Sequence, residues 1–158
     1  MHLFRICPEK YLDNYKGLGA SYKDGARWNI AGMPVIYFAL SPGTALLEMA
    51  NYIPSPRLVP ENFRLGIYDL PDKTSLFTLP RSSLPNDWAQ FPYPSSAQGV
   101  GSKWLREGEE VGMLVPSAAV PEGLENVLVF NPNNKDSGQI KLIKSTSNLY
   151  NQRMFTGI

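Results

Sequence analysis

Arg27, Tyr37 and Glu48 are the residues whose types and order point to chemistry. They fall in turn in a glycine-rich loop, an apolar run and a helical segment. A strand followed by a helix can bring Tyr37 and Glu48 to one edge of a pocket, with Arg27 entering from the preceding loop. A guanidinium is a planar fork of donors suited to phosphate, and Gly25 leaves room for close approach of backbone to a ligand. A carboxylate such as Glu48 suits cleavage of an N-glycosidic bond. The transition state carries oxocarbenium character, and a positioned anion stabilises that charge selectively. Ser117, within Val115-Pro116-Ser117-Ala118, can present its hydroxyl to a phosphate or ribose from the end of an apolar run.

Each residue also has a structural alternative. Arg27 can be solvated or paired with an aspartate, Trp28 can plug the core, and Tyr37 can sit in the core with its hydroxyl on backbone. Glu48 fits a solvent-facing stripe with Thr44 and Asn51, and Ser117 fits an ordinary strand-ending turn. Arg5, flanked by Phe4 and Ile6, alternates away from those two side chains into solvent or a pocket.

Composition narrows the chemistry. Lys plus Arg number 15 against 14 Asp plus Glu, and the net charge of +1 disfavours a nucleic-acid-binding module. Cys7 is the sole cysteine, so an intramolecular disulfide and a cysteine zinc site are excluded. His2, the sole histidine, lies beside the start, which disfavours a Ser-His-Asp arrangement and most transition-metal sites; no metal is expected. No glycine-flanked elbow surrounds Ser117, and no G-x-G-x-x-G follows a strand, so a Rossmann site is disfavoured. Without an apolar run of about 18 residues or a signal-peptide h-region, the expectation is a cytoplasmic protein with no membrane association. The length of 158 residues suits one domain spanning 1–158.

The elements that must position these side chains can be read coarsely. His2–Cys7 is a strand ended by Pro8, and 9–29 is a glycine-containing loop with a helical turn near Tyr11–Tyr15. Val35–Leu40 is a buried strand after the Gly32-Met33-Pro34 turn. Ser41 suits an N-cap and Pro42 the first position of a helix running to Tyr52, with Ala45, Met49 and Tyr52 on one face. Further strands are expected at Phe63–Leu70, Thr74–Leu79, Gly112–Pro116, Asn126–Phe130, Gln139–Lys144 and, without a strong pattern, Asn148–Phe155. Residues 80–98 read as an ordered surface connection and Gly99–Glu107 as a short helix. Many short strands with two modest helices make an α+β domain with a curved or split sheet.

In order along the chain, Phe4-Arg5, Gly25-Ala26-Arg27-Trp28-Asn29, Gly32 to Tyr37, Ser41, Ala45 to Glu48, Gly101, Trp104-Leu105, Val115 to Ala118 and Asn131-Pro132 resemble the RES domain family. Ala26 departs from the pattern, standing where many members have a further glycine. The resemblance implies an ADP-ribosyltransferase-like mixed sheet with a few flanking helices. It implies a cytoplasmic toxin that consumes NAD as substrate rather than cofactor, held by an Xre-like helix-turn-helix antitoxin, and it suggests a homodimer. On matching positions it implies that Arg5 and Arg27 hold the pyrophosphate or adjacent ribose, that Tyr37 packs on nicotinamide and that Glu48 stabilises the ribosyl cation. Gly25, Trp28, Asn29 and Ser117 would line the same NAD site. Hydrolysis of the nicotinamide–ribose bond is favoured, with phosphorolysis and mono-ADP-ribosylation of a protein left open.

Overall fold

Apolar runs become strands wherever proline, glycine or a polar turn punctuates them. The computed structural model describes residues 1–151 and 153–156. In chain order the elements are β1 (His2–Pro8), α1 (Ala20–Asp24), β2 (Ile36–Ala39), α2 (Pro42–Ala50), β3 (Phe63–Asp69) and β4 (Leu76–Thr78). They continue with α3 (Ser95–Glu107), β5 (Gly112–Pro116), β6 (Asn126–Phe130) and β7 (Lys141–Thr146), joined in places by short 3-10 turns. The strands form one seven-stranded sheet in the order β4-β5-β6-β2-β1-β3-β7. Only β4 and β5 run parallel; the other pairs are antiparallel. The expected α+β class with a mixed sheet is observed.

The sheet is nearly split at its centre. β1 and β3 are in register from His2↔Asp69 to Pro8↔Phe63, whereas β1 and β2 share the single pair Phe4↔Ala39. Alternation then sorts side chains to two faces. Tyr37, Met113, Val115, Val127 and Val129 meet Trp28 and the Ala97, Trp104 and Leu105 side of α3. Ile36, Phe38, Leu128 and Phe130 point the other way, onto Leu3, Tyr68 and Leu70. Because both faces are covered, β5 and β6 are apolar almost throughout rather than alternating.

The α2 start follows from its sequence. Ser41 accepts a hydrogen bond from the Thr44 amide at 3.1 Å, and Pro42 fills a position whose missing N–H costs nothing. Thr44, Ala45 and Met49 are buried, while Tyr52 lies beyond the last helical residue and is 70% exposed, so the expected apolar face is shorter by one member.

Elsewhere the structure corrects the sequence reading. A helix, α1, sits inside the segment expected to be loop, and Gly25 ends it at φ +78°. The 3-10 turn precedes the expected position, at Glu9–Tyr11. α3 begins at Ser95 rather than Gly99, directly after Pro94. Its Gly101 weakens the helix intrinsically but is required by packing: a Cβ there would lie 1.9 Å from the Trp28 carbonyl oxygen. The Ser137–Gln139 turn consumes the start of the strand expected over Gln139–Lys144, and β7 runs over Lys141–Thr146. The strand expected over Asn148–Phe155 is absent from its described residues, which are irregular up to 151 and form a turn at 153–155; Gln152 lies outside the described residues.

Among the described residues no helix is long and apolar enough to cross a membrane. Removing the α2 cap by Ser41→Ala is expected to lower stability by about 1 kcal/mol. Gly101→Ala, which overlaps backbone that no rotamer change can clear, is expected to cost at least about 1–3 kcal/mol. Urea midpoints of the two variants check both values.

Candidate active site

The Glu48 carboxylate is held from across the fold. Glu48 is half-buried on α2, and its Oε1 accepts a 2.6 Å hydrogen bond from the Oγ of Ser117, just past the end of β5. Asn51 approaches Oε2 at 3.4 Å from the next turn. Ser117 is 1% exposed, and its Oγ also accepts from the Ala119 amide at 3.2 Å, which fixes the hydroxyl rotor towards Glu48. The solvent-stripe alternative for Glu48 therefore does not describe its surroundings.

Glu125 closes this connection into a ring. Its carbonyl accepts from the Ser117 amide at 2.8 Å, and its carboxylate accepts from the Ser41 hydroxyl at 2.8 Å and from the Thr44 hydroxyl. The residue that holds the N-terminus of α2 thus also holds the serine that orients Glu48 one turn further along the same helix.

The 25–30 loop is fixed by buried polar contacts. The Tyr37 hydroxyl accepts from the Trp28 amide at 3.2 Å and donates to Asn29 Oδ1 at 2.7 Å. Asn29 Nδ2 donates to the carbonyls of Ser21 and Ile30 at 2.7 and 3.0 Å. From α3, Gln98 donates to the Ala26 carbonyl at 3.0 Å, and Ser102 Oγ accepts from the Ile30 amide at 2.9 Å. Burial raises the Tyr37 phenol far above the ordinary tyrosine range, against the lowering effect of the Trp28 amide. The group is a neutral hydrogen-bonding hydroxyl, not a base.

Arg27 leaves this loop towards the 85–94 segment. Its Nη1 donates to the carbonyls of Trp88 and Gln90 at 2.6 and 2.7 Å, and the guanidinium lies 5.2 Å from the Tyr93 ring centre. Nη2 and Nε make no hydrogen bond among the described residues, so part of the donor fork remains free. The Tyr93 hydroxyl is 2.7 Å from that of Tyr52, just after α2. Although most of the Tyr52 side chain is exposed, local desolvation of its hydroxyl beside Tyr93 raises the phenol above its usual range, with Tyr93 and Glu48 adding to it and Arg27 opposing. Tyr37 senses Tyr52, Tyr93 and Glu48 in turn. The Tyr52–Tyr93 contact links the end of α2, the helix that carries Glu48, to the segment that Arg27 holds.

Four expected site residues have a different placement. Trp28 is 1% exposed and stacks on Trp88, and Asn29 is 0% exposed with its amide fully engaged; both build the loop and offer a ligand no surface. Gly25 is demanded by its positive φ and by the Asn29 carbonyl, 3.2 Å from where a Cβ would stand. Arg5 is turned by the Phe4↔Ala39 pair to the sheet face opposite Tyr37. There its Nη1 is 3.5 Å from the Tyr11 carbonyl and its charge acts on Tyr15 and Tyr68. It shares no described contact with the Arg27–Glu48 group.

Sequence reasoning missed Glu125, Gln98, Ser102, Tyr52 and Tyr93. The adjacent small pair Gly101-Ser102 within a helix is a signal of close approach. Nothing local marks the meeting of Tyr52 with Tyr93. Among the described residues no cluster of His, Cys, Asp and Glu could hold a metal ion.

A carboxylate on a helix, steered by a serine from a strand end beside an arginine-anchored loop, sits here on an ADP-ribosyltransferase-like α+β sheet. The same fold occurs in a chain of the M. tuberculosis MbcT–MbcA toxin–antitoxin complex, which superimposes with a TM-score of 0.69 at 25% identity, covering 92% of this chain and 82% of that one. The RES domain family matches residues 2–150, and the chain belongs to that family. Relatives include "Toxin Res" of Photorhabdus laumondii subsp. laumondii, 35% identical over 138 residues that make up 86% of this chain and 85% of the relative. "Prs ADP-ribosylating toxin" of Sphingobium sp. is 34% identical over 144 residues, 90% of this chain and 87% of that protein.

The Thr44 and Ser41 hydroxyls hold the Glu125 carboxyl below its ordinary range. A pKa depressed in the folded state contributes stability above the ordinary carboxylate range, and that contribution is lost as pH falls through the depressed value. Glu125→Gln, which cannot ionise, is expected to show a shallower acid-side fall in thermal midpoint than the parent chain. Parallel curves for the two proteins would count against the anchor.

Proposed function

We propose that this chain is the toxin of a toxin–antitoxin pair and that it consumes NAD by cleaving the nicotinamide–ribose bond. The observation that carries the reading is the 2.6 Å Ser117–Glu48 hydrogen bond, which holds a half-buried carboxylate in a fixed orientation. Family membership and the toxin names of the relatives support it. The whole chain acts as one domain in the cytoplasm.

The chemistry follows from the charges. As the C1′–N bond lengthens, its electron pair passes to the pyridinium nitrogen and positive charge develops on the ribose. Glu48, held by Ser117, stabilises that charge or accepts a hydrogen bond from the ribose 2′-hydroxyl. The free Nη2 and Nε donors of Arg27 take the pyrophosphate, while Nη1 keeps the 85–94 segment in place. Tyr37 flanks nicotinamide with a ring whose hydroxyl is already committed. In hydrolysis water adds to C1′ and releases its proton, giving ADP-ribose and nicotinamide; in phosphorolysis phosphate takes the place of water. NAD is the substrate, and no separate cofactor is needed.

A second reading has its own support. A relative carrying the name ADP-ribosylating toxin favours transfer of the ADP-ribosyl group to a protein. Incubation of the purified chain with NAD alone separates the two: free ADP-ribose supports hydrolysis, while loss of NAD only with added lysate supports transfer. The partner is an antitoxin, as the MbcT–MbcA neighbour suggests, and the family resemblance makes it Xre-like; the same resemblance suggests a homodimer. Glu48→Ala is expected to reduce NAD consumption by on the order of 10²–10³ or more with the fold retained. Arg27→Ala is expected to do likewise. Normal turnover by a folded Glu48→Ala protein would overturn the assignment.

A further inference from the structure

A cavity of about 350 Å³ opens beside the active-site group, between Trp88-Ala89 and the 118–123 segment. Its borders touch both ends of that group. The Trp88 carbonyl is one of the two that Arg27 grips, and Ala118 follows the serine that holds Glu48. One wall is the Trp88 indole, backed by the buried Trp28 ring in a stack with centres 6.4 Å apart and planes 21° apart.

The opposite corner is a constructed turn. Glu122 has φ +55°, a left-handed conformation that an L side chain rarely adopts. Arg81 donates to the carbonyls of Glu122 and Gly123 and pins the corner in place. Gly123, at φ +62°, cannot be enlarged, because a Cβ would stand 2.7 Å from Pro116 and 3.0 Å from Trp88. Apart from Glu122 the lining carries no charge, consisting of Trp88 and small or aliphatic residues. The Glu122 carboxylate makes no hydrogen bond or ion pair among the described residues. An aromatic wall, an open and mainly apolar depression, and an exposed carboxylate at its rim fit a flat heteroaromatic ring that carries an amine.

We propose that this cavity seats the adenine of the dinucleotide, with Trp88 against the ring and Glu122 accepting a hydrogen bond from the exocyclic amine. The proposal rests on the NAD-consuming reading above and extends it from the bond that breaks to the far end of the substrate. The cavity adjoins the Trp88 carbonyl that Arg27 grips, so a base seated there lies next to the pyrophosphate that the free donors of Arg27 would take. A hypoxanthine in this place would turn a carbonyl oxygen towards the carboxylate, replacing a donor–acceptor contact by repulsion between two acceptors.

The test uses the full chain in calorimetric titrations with AMP and IMP, beside turnover of NAD and nicotinamide hypoxanthine dinucleotide. Hydrogen bonds to charged groups correspond to a preference of roughly 10–100-fold. The parent protein is expected to bind AMP over IMP, and to use NAD over the hypoxanthine dinucleotide, by that factor, with the difference in KM rather than kcat. Glu122→Gln and Glu122→Gly are both expected to erase the preference; the glycine suits the left-handed backbone, so loss of fold does not obscure the result. Equal binding of AMP and IMP by the parent chain, or a preference that survives both substitutions, overturns the adenine seat even if NAD is consumed. An AMP preference that depends on Glu122 supports the seat even if NAD turnover is absent, in which case the cleavage reading alone fails.

Discussion

A serine hydroxyl and a glutamate carboxylate 2.6 Å apart join the end of β5 to the middle of α2, and the arrangement of the candidate site follows from that contact. Ser117 can meet Glu48 only if α2 lies at a fixed height along the sheet. That height is set at the helix N-terminus, where Glu125 engages Ser41 and Thr44 while its own carbonyl holds the Ser117 amide. The ring of contacts contains its own reference point. A shift of α2 by one residue would break the cap, the Glu125 contacts and the Ser117–Glu48 bond together.

The second constraint is the close approach of α3 to the 25–30 loop. Gly101 lets the helix meet the Trp28 backbone, and from there Gln98 and Ser102 satisfy three backbone groups of the loop. Buried backbone polar groups need such partners, so the loop can be irregular and rigid at once. Its rigidity aims Arg27 outward, where one guanidinium nitrogen ties down the 85–94 segment and the others stay available. Trp28 and Asn29 accordingly serve the site from beneath it.

Much of this was legible in the residues. Ser41-Pro42 marked the start of α2 because cap and first-turn preferences are local, and Gly112–Pro116 and Asn126–Phe130 were bounded correctly because their apolar runs end in turns. Arg27, Tyr37, Glu48 and Ser117 are singled out by their types and their order along the chain. Placement on a face was harder. Arg5 reads as a ligand-gripping arginine until the register of β1 with β2 sends it through to the other side. Trp28 and Asn29 flank Arg27 in sequence, yet Tyr37 and α3 draw them inward. Glu125 carried no local signal, since its role depends on a hairpin end meeting a helix start some eighty residues away in the chain.

The lone Phe4↔Ala39 pair has a mechanical meaning. On one side of it lie β4, β5, β6 and β2, which carry Tyr37 and lead to Ser117; on the other lie β1, β3 and β7. Each half keeps its own ladders, and across the seam the two are joined by the apolar layer in which Phe38 meets Tyr68 rather than by a row of hydrogen bonds. α2 connects β2 to the segment that enters β3 and therefore spans the seam with Glu48 aboard. The position of the carboxylate is thus referred to the half that holds Ser117, although its helix leads on to the other.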